Sequence, residues 1–436
     1  MPALERLCRD LYGELRAPEV ALVRQRLDTP RLDDIEGAVV AAVRRVAGAT
    51  DRRGPIAVGA GSRGIANLEQ IVRTAISELR AAGFEPFIVP AMGSHGGATA
   101  DGQREILADY AIDSRRVGAE VRATMETVPL GDAGGLAVHW DRHAAEAGAA
   151  FLVARIKPHT DFAGPIESGL AKMAVIGLGK QRGAQLTHAA GVRGLRDLMP
   201  EAARYIAAKG LVVGGLGIVE NARDETAEIH GLLAADVAGP LEAKLQERAK
   251  QLMPRIPFDD LHVLVVDRMG KDVSGAGMDT NVLGRWRIPG VAEDARPQIA
   301  NIVTLDLTSA SHGNSAGLGL ADFVPVWLAE KVDVGAFYTN SLTAGIVGVE
   351  RAKFPVVLPT DRDCVIAAAA TAGRAAGEPL RLCWIGDTLH TETFAVAEDM
   401  LEEVSGRDDL QVVTGPRPMP FDSSGRLRPL PEFQGD

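Results

Sequence analysis

The chain has 436 residues, 46% of them hydrophobic, which is enough for two or three cores because one core stops growing near roughly 250 to 300 residues. Its formal net charge of -11 disfavours nucleic acids and anionic membranes as partners, since their phosphates would be repelled. No apolar run approaches the roughly 20 residues that span a bilayer. Cys8, Cys364 and Cys383 lack the spacing of a disulfide framework or of a thiolate metal site. We therefore expect a cytoplasmic protein with a small-molecule ligand.

Strand-like and helix-like segments alternate through the first half of the chain. In chain order the predicted elements are a strand at 55–60, a helix at 67–82, a strand at 84–90, a helix near 102–110, a strand at 149–156, a helix near 194–208 and a strand at 210–219. This alternation predicts an α/β fold with a largely parallel, Rossmann-like sheet.

The second half of the chain predicts a further α/β domain. Its predicted elements are a charged helix at 239–252, strands at 261–267 and 302–307, a helix at 361–375 and a strand at 380–385. We therefore predict three parts, with the active site between the first two: an N-terminal cofactor-binding and catalytic domain at 1–258, a smaller C-terminal substrate-side domain at 259–412, and an extended proline-rich surface tail at 413–436.

A glycine-rich loop, GAGSRG, follows the first predicted strand and has the GxGxxG spacing of a dinucleotide site. A nicotinamide-binding unit needs an acidic residue at the end of the second strand, but that strand ends in VPAMG and Glu85 lies at its opposite end. Arg63 would instead direct a cation toward a phosphate or carboxylate held on the loop amides. Gly61, Ser62 and Arg63 are therefore predicted to bind an anionic group, with an NAD-type oxidoreductase as the alternative.

The segment from 155 to 191 sets two histidines, His159 and His188, and three lysines, Lys157, Lys172 and Lys180, among glycine, alanine and leucine. Small residues let a ligand approach the backbone while a few polar groups orient it, so this composition is typical of a binding site. The alternative is that these are ordinary surface lysines and loop histidines. By topology, the carboxyl ends of neighbouring parallel strands would bring Arg63 and His95 to the same rim of the sheet.

The histidines do not have the spacing of a metal site built from protein alone. His95, His159 and His188 lie in three separate predicted loops, and the chain has no HExxH or thiolate cluster that would complete a zinc cage. A metal held by one or two histidines would need its other ligands from elsewhere. The sequence therefore points to a metal carried by an organic cofactor.

The order of these residues resembles the lactate racemases that depend on a nickel-pincer nucleotide. In that family an N-terminal domain carries a Pro-His loop, a Phe-Ala-Gly run, a lysine and then a histidine. This chain has Pro158-His159, Phe162-Ala163-Gly164, Lys172 and His188 in that order. Arg63 and His95 match the upstream arginine and histidine, so the resemblance covers the first domain, while the second matches in size and placement only.

The resemblance implies a role for each matched residue. Lys172 would carry the nickel-pincer nucleotide through a thioamide, and His188 would supply the remaining nickel ligand. His95 and His159 would be acid/base groups on opposite faces of the substrate, while Arg63 would orient its hydroxyl or carboxylate. The implied reaction is racemisation or epimerisation of a 2-hydroxy acid, in which the hydroxyl proton goes to a base and hydride moves reversibly to the cofactor, with cofactor-synthesis enzymes as partners.

This chain also departs from the family pattern. Better known members have Gly-Gly-Arg before the lysine, whereas Glu167-Ser168-Gly169-Leu170-Ala171 stands here, so Lys180 remains a rival attachment point. Lys271 is the predicted carboxylate clamp of the second domain, and the polar DTN segment at 279–281 favours a substrate larger than lactate, such as a sugar acid. A non-catalytic nucleotide- or anion-binding protein is the remaining alternative.

Overall fold

The computed structural model describes residues 2–61, 64–289, 291–293, 295–375 and 377–430. The chain divides into two compact units, one of residues 28–253 and one that combines residues 1–27 with residues 254–436. We call them the central unit and the terminal unit.

The strands and helices of the described residues are numbered in chain order. The strands are β1 (Glu19–Gln25), β2 (Gly54–Ala60), β3 (Phe84–Pro90), β4 (Thr127–Ala133), β5 (Leu136–Asp141), β6 (Ala150–Arg155), β7 (Val212–Glu220), β8 (Thr226–Leu233), β9 (Asp260–Met269), β10 (Gln298–Leu307), β11 (Phe323–Pro325), β12 (Val356–Leu358), β13 (Leu382–Ile385), β14 (Thr393–Ala397), β15 (Leu410–Val412) and β16 (Arg417–Pro418). The helices are α1 (Pro2–Tyr12), α2 (Ile35–Gly48), α3 (Leu68–Ala81), α4 (Ala100–Asp109), α5 (Ser114–Val117), α6 (Arg142–Ala147), α7 (Leu170–Lys172), α8 (Lys180–Ala189), α9 (Gly191–Arg193), α10 (Met199–Ala208), α11 (Pro240–Leu252), α12 (Thr280–Leu283), α13 (Val326–Glu330), α14 (Val334–Thr343), α15 (Ile346–Glu350), α16 (Asp361–Ala370) and α17 (Leu401–Ser405).

The central unit is built on a five-stranded sheet in the order β3-β2-β6-β7-β8. The first four strands are parallel, and β8 returns antiparallel to β7. The inner strands are apolar along most of their length, as expected of strands covered on both faces. Strands β4 and β5 form a separate antiparallel hairpin.

The two faces of this sheet belong to different cores because successive side chains of a strand point to opposite sides. Ile56 and Val58 of β2 pack in the core that contains residues of α2 and α3. Ala57 of β2 and Leu152 of β6 belong to the other core, which contains residues of α7, α10 and α11. The second core therefore lies on the side of the sheet that carries the lysine and histidine segment.

The terminal unit is built on a larger mixed sheet in the order β12-β11-β10-β9-β13-β14-β1-β15, with β16 also paired to β1. Strands β12, β11, β10, β9 and β13 are parallel, whereas β14, β1 and β15 are antiparallel to their neighbours. The predicted α/β class with largely parallel sheets is confirmed. In the part of the chain that the structure describes, no helix is long and apolar enough to cross a membrane.

Both ends of the chain differ from the sequence prediction. Residues 19–25 fall within the predicted N-terminal domain, but they form strand β1, which pairs with β14 inside the sheet of the terminal unit. The tail after residue 412 was predicted to lie on the surface, yet β16 pairs with β1, and Met419, Leu427 and Leu430 are buried. The tail is held because two buried carboxylates, Asp361 and Asp267, accept the backbone N–H groups of Leu427 and Leu430 at 2.7 and 2.6 Å.

Candidate active site

Three loops of the central unit meet at one edge of the sheet. Strands β3, β2 and β6 are adjacent and parallel, and Ala60 of β2 is in register with Pro90 of β3 and Val153 of β6. Each strand leads at its carboxyl end into a loop that bears predicted site residues: Gly61 after β2, His95 after β3 and His159 after β6. Ligands of open α/β sheets bind at this edge, so the topology unites three predicted parts of the site.

The loop after β6 holds His159 through its backbone and its ring. The His159 N–H donates to Oε2 of the fully buried Glu167 at 2.8 Å, and Gly164 N–H donates to the same carboxylate at 2.9 Å. The His159 ring lies against Phe162, with ring centroids 4.8 Å apart. Because Nδ1 accepts the N–H of Asp161 at 3.1 Å, the proton of the neutral ring is assigned to Nε2.

His159 is electrostatically coupled to the other cationic residues of the segment. Burial of the ring lowers its pKa well below the ordinary value, and the positive charge of Lys172 lowers the pKa further. His188 and Lys157 act in the same direction, whereas Asp161 raises the pKa. His159 is therefore neutral near neutral pH, and it lies within electrostatic range of both Lys172 and His188.

Lys172 ends α7 and is followed directly by a π-helical turn, Met173–Gly177. Single π-helical turns occur frequently at functional sites. The turn lies close to two neighbouring loops: a Cβ on Gly61 would meet Met173 Cε at 3.6 Å, and Gly93 N–H donates to the Gly177 carbonyl at 3.1 Å. The segment that carries Lys172 therefore packs under the loops that carry Gly61 and His95.

His188 lies in the last turn of α8 with an exposed side chain. Its Nδ1 is 2.6 Å from the carbonyl oxygen of Ala184, which can only accept a hydrogen bond. Nδ1 must therefore carry the proton of the neutral ring, and Nε2 keeps its lone pair. A histidine that donates one ring N–H to a backbone carbonyl while its other nitrogen is available has the arrangement typical of a metal ligand.

Lys180 is fully buried, which argues against it as the rival attachment point. Its Nζ donates to the carbonyl of Pro90 at 2.5 Å and to Gln103 Oε1 at 3.2 Å, and it forms an ion pair with the buried Asp141 at 3.1 Å. Burial lowers the pKa of Lys180, and Asp141 opposes this shift. These contacts assign Lys180 a structural role at the end of β3.

The same network reaches the loop of His95. Gln103 Nε2 donates to the carbonyl oxygens of Gly93 at 2.8 Å and His95 at 3.3 Å. Gly96 has a positive φ of 66°, and a Cβ there would lie 2.6 Å from Gln103 N, so only glycine fits this turn. His95 itself is exposed, and its acid/base role stays a prediction.

The glycine loop does not open a helix in the manner of a dinucleotide fingerprint. Helix α3 begins only at Leu68, four residues after Gly64, and Asn67 before it has a positive φ of 59°. Ser62 and Arg63, two of the predicted anion-binding residues, lie outside the described residues. Their roles stay predictions, as does that of Gly61.

Lys271 and the DTN segment, which were predicted to belong to the second domain, lie in the terminal unit together with the nearby Arg285. Lys271 Nζ donates to the Gly275 carbonyl of its own loop at 2.6 Å. Asp279 caps α12 by accepting the N–H of Asn281 at 2.9 Å, and Arg285 forms an ion pair with Asp322 at 2.5 Å. The structure thus gives Asp279 and Arg285 structural contacts, and the carboxylate-clamp role of Lys271 stays a prediction.

Several buried or half-buried polar residues that contact the candidate site were not predicted. Helix α11 presents Glu242, Gln246 and Lys250 at intervals of four residues to the segment between His159 and Lys172. Glu242 accepts the N–H of Ala171 in α7 at 3.1 Å, and Lys250 forms an ion pair with Glu167 at 3.0 Å. Burial raises the pKa of Glu242 to about 7, although its hydrogen bonds from backbone N–H groups oppose that shift.

Within the described ranges, no group of three or more histidine, cysteine, aspartate or glutamate side chains could hold a metal ion. The donor that geometry favours for a metal is a single imidazole nitrogen, Nε2 of His188. One such ligand would serve a metal that brings its other ligands with it.

No protein-family model matches the chain, and neither does any curated protein sequence. Among solved structures, the chain is similar to the lactate racemase apoprotein from Thermoanaerobacterium thermosaccharolyticum, at 12% sequence identity and a TM-score of 0.40. That similarity covers 78% of this chain and 94% of the other.

Proposed function

We propose that the protein is a racemase or epimerase of a 2-hydroxy acid and that it uses a nickel-pincer nucleotide tethered through Lys172. The observation that carries the proposal is the grouping of Lys172, His159 and His188 next to the loops that bear Gly61 and His95. These residues also stand in the order that resembles the nickel-pincer-dependent lactate racemases. The reaction class follows from that resemblance together with the two histidines.

The residues present fit the tethered cofactor. His188 has the proton of its neutral ring on Nδ1, so Nε2 can bind nickel without loss of the hydrogen bond to Ala184. Lys172 is half-buried beside a π-helical turn, whereas the buried ion pair of Lys180 is incompatible with covalent attachment. When bound, the group would supply a reversible acceptor and donor of hydride at the substrate carbon.

His95 and His159 would accept the proton of the substrate hydroxyl and donate it back. Their loops leave strands β3 and β6, which flank β2 and are therefore about 10 Å apart, leaving room for a small acid between them. Neutral His159 can accept a proton at Nε2 once its own proton has moved to Nδ1. That shift breaks the hydrogen bond from Asp161 N–H, at a cost of about 1 kcal/mol. His95 would act in the same way on the opposite face.

Cationic and amide groups would hold the negative charges of cofactor and substrate. Gly61, Ser62 and Arg63 would bind the cofactor phosphate or the substrate through loop amides and a guanidinium. Lys271 would clamp the substrate carboxylate. The enzymes that synthesise the cofactor would be obligatory partners, because a tethered group must be made before it is attached.

Intact-mass spectrometry and nickel analysis test the proposal, after co-expression with cofactor-synthesis enzymes. We expect a covalent mass increase and bound nickel in the wild type, loss of the mass increase in Lys172→Ala, and retention in the control Lys244→Ala. A ligand that dialysis removes with no mass on Lys172 would instead support the dinucleotide oxidoreductase. Racemisation is then measured by chiral chromatography on lactate and on larger 2-hydroxy acids, including sugar acids.

A further inference from the structure

The loop that carries His159 is anchored to helix α11 through one buried carboxylate. Lys250 Nζ lies 3.0 Å from Glu167 Oε1 and also donates to the Gly164 carbonyl at 3.4 Å. The other oxygen of Glu167 accepts the His159 N–H at 2.8 Å. A continuous chain of contacts thus runs from α11 through Glu167 to the backbone of His159.

The charge of Glu167 makes this chain of contacts depend on Lys250. The Glu167 side chain is 0% exposed, and a buried carboxylate is stable only when cations and N–H donors compensate its charge. Two backbone N–H groups of the loop and the ammonium of Lys250 provide that compensation. Without the ammonium, the buried carboxylate loses that compensation, and its movement toward water disturbs the N–H groups that it holds.

We infer that Lys250 is a positioning residue that fixes the His159 ring through Glu167. The inference rests on the proposed function for its catalytic meaning, but the contacts themselves do not. Glu167 holds both His159 and Gly164, the two ends of a short loop, and between them Phe162 lies against the His159 ring. A displacement of the carboxylate would therefore move the His159 ring in two ways, through the backbone of His159 and through Phe162, which packs against the ring.

The first test measures exposure of the ring in the protein without cofactor. Diethyl pyrocarbonate modifies neutral histidines, and peptide mass spectrometry follows the rate at His159. We expect a several-fold faster rate in Lys250→Met, an unchanged rate in Lys244→Met on an exposed position of the same helix, and a wild-type rate in Lys250→Arg. The exposed His188 serves as the internal reference. An unchanged rate at His159 in Lys250→Met would overturn the inference.

A double-mutant cycle tests whether the effect passes through Glu167. Glu167→Gln removes the charge that Lys250 compensates, so Lys250→Met should add no further increase in the His159 rate in that background. Full additivity of the two changes would refute a route through Glu167. If Lys250→Met fails to fold, the milder Lys250→Gln is measured in its place with the same controls.

The second test uses the loaded enzyme. Lys250→Met should lower kcat on the order of 10²-fold, as expected of a small displacement of a reacting group, while KM and the mass on Lys172 change little. Lys250→Arg should restore kcat, and equal kcat in Lys250→Met and wild type would overturn the positioning role. If the proposed function is wrong, the wild type will show neither the mass increase on Lys172 nor isomerisation, while the rates of histidine modification by diethyl pyrocarbonate will remain as predicted.

Discussion

Replacement of Lys180 by methionine tests whether Lys180 and Lys172 have different roles. Lys180 is 0% exposed, as is its partner Asp141, and their charged atoms are 3.1 Å apart. Methionine preserves the apolar length of the side chain and removes its charge. The change therefore leaves the Asp141 carboxylate buried without its cation, and it also removes the donor to Pro90 and Gln103.

The expected cost is large because the remaining charge cannot reach water. Breaking a buried ion pair by removing one partner destabilises a protein by about 3–5 kcal/mol. An exposed lysine such as Lys244 should cost less than about 0.5 kcal/mol when changed in the same way. Lys180→Met should therefore lower the free energy of unfolding of the central unit by several kcal/mol more than Lys244→Met.

A tryptophan signal can isolate the central unit in this experiment. The chain has four tryptophans, and Trp140, buried in the central unit, is the one that falls between residues 28 and 253. After labelling with fluorotryptophan, Trp140 gives its own ¹⁹F resonance, and the change of that resonance during a urea titration reports unfolding of the central unit. In Lys180→Met/Asp141→Asn most of the loss should be recovered, because asparagine keeps the acceptor for Ala144 N–H without the charge. A loss below about 1 kcal/mol in Lys180→Met, or no recovery in the double variant, would refute the reasoning.

Three further predictions concern the site and the tail. His188→Ala should lower the nickel content of the loaded protein while the mass on Lys172 persists, and unchanged nickel would remove His188 as a ligand. His95→Ala and His159→Ala should each reduce isomerisation on the order of 10² to 10⁴-fold with the mass retained, and near-wild-type turnover would exclude that residue from proton transfer. Burial raises the pKa of Asp361 to about 7, so its contribution to stability is complete below about pH 4 and is lost as pH rises through about 7. Asp361→Asn should reduce the decline in unfolding free energy between about pH 4 and about pH 7, as measured by urea titrations at several pH values. An equal decline in the variant and the wild type would contradict this.

The elements that the sequence predicted well are those whose signal is local. Strand β3 was predicted at 84–90 and spans Phe84–Pro90, because an apolar run between Gly83 and a glycine-rich loop leaves little freedom in its bounds. Strand β1 was not predicted, since its pairing with β14 joins parts of the chain that lie hundreds of residues apart. The predicted helix at 194–208 is helical throughout, but its first five residues, Gly194–Leu198, are π-helical, and the α-helical part begins at Met199.

The candidate site divides in the same way. The order of His159, Lys172 and His188, and the placement of His159 in a loop after a parallel strand, could be read from local patterns and topology, whereas His188 was predicted to lie in a loop and lies in helix α8. Lys172 and Lys180 could not be distinguished, because both lie among small residues and the difference between them is Asp141, far away in β5. The burial of one lysine and the partial exposure of the other are properties of the packed fold.

Helix α11 carries a sequence signal that the prediction did not use. It was predicted as a charged helix, and charge normally indicates a face turned to water. However, Glu242, Gln246 and Lys250 recur every four residues, and each directly follows an apolar position of the helix, Leu241, Leu245 or Ala249. Polar residues at the spacing of a core face imply a polar surface opposite them, and here that surface is the segment of Glu167 and Ala171. The loop of a site has backbone N–H groups that no helix or sheet satisfies, so a neighbouring helix must supply the acceptors. A helix next to a predicted loop that carries polar residues at the spacing of a core face is therefore a sign of the element that supports a site.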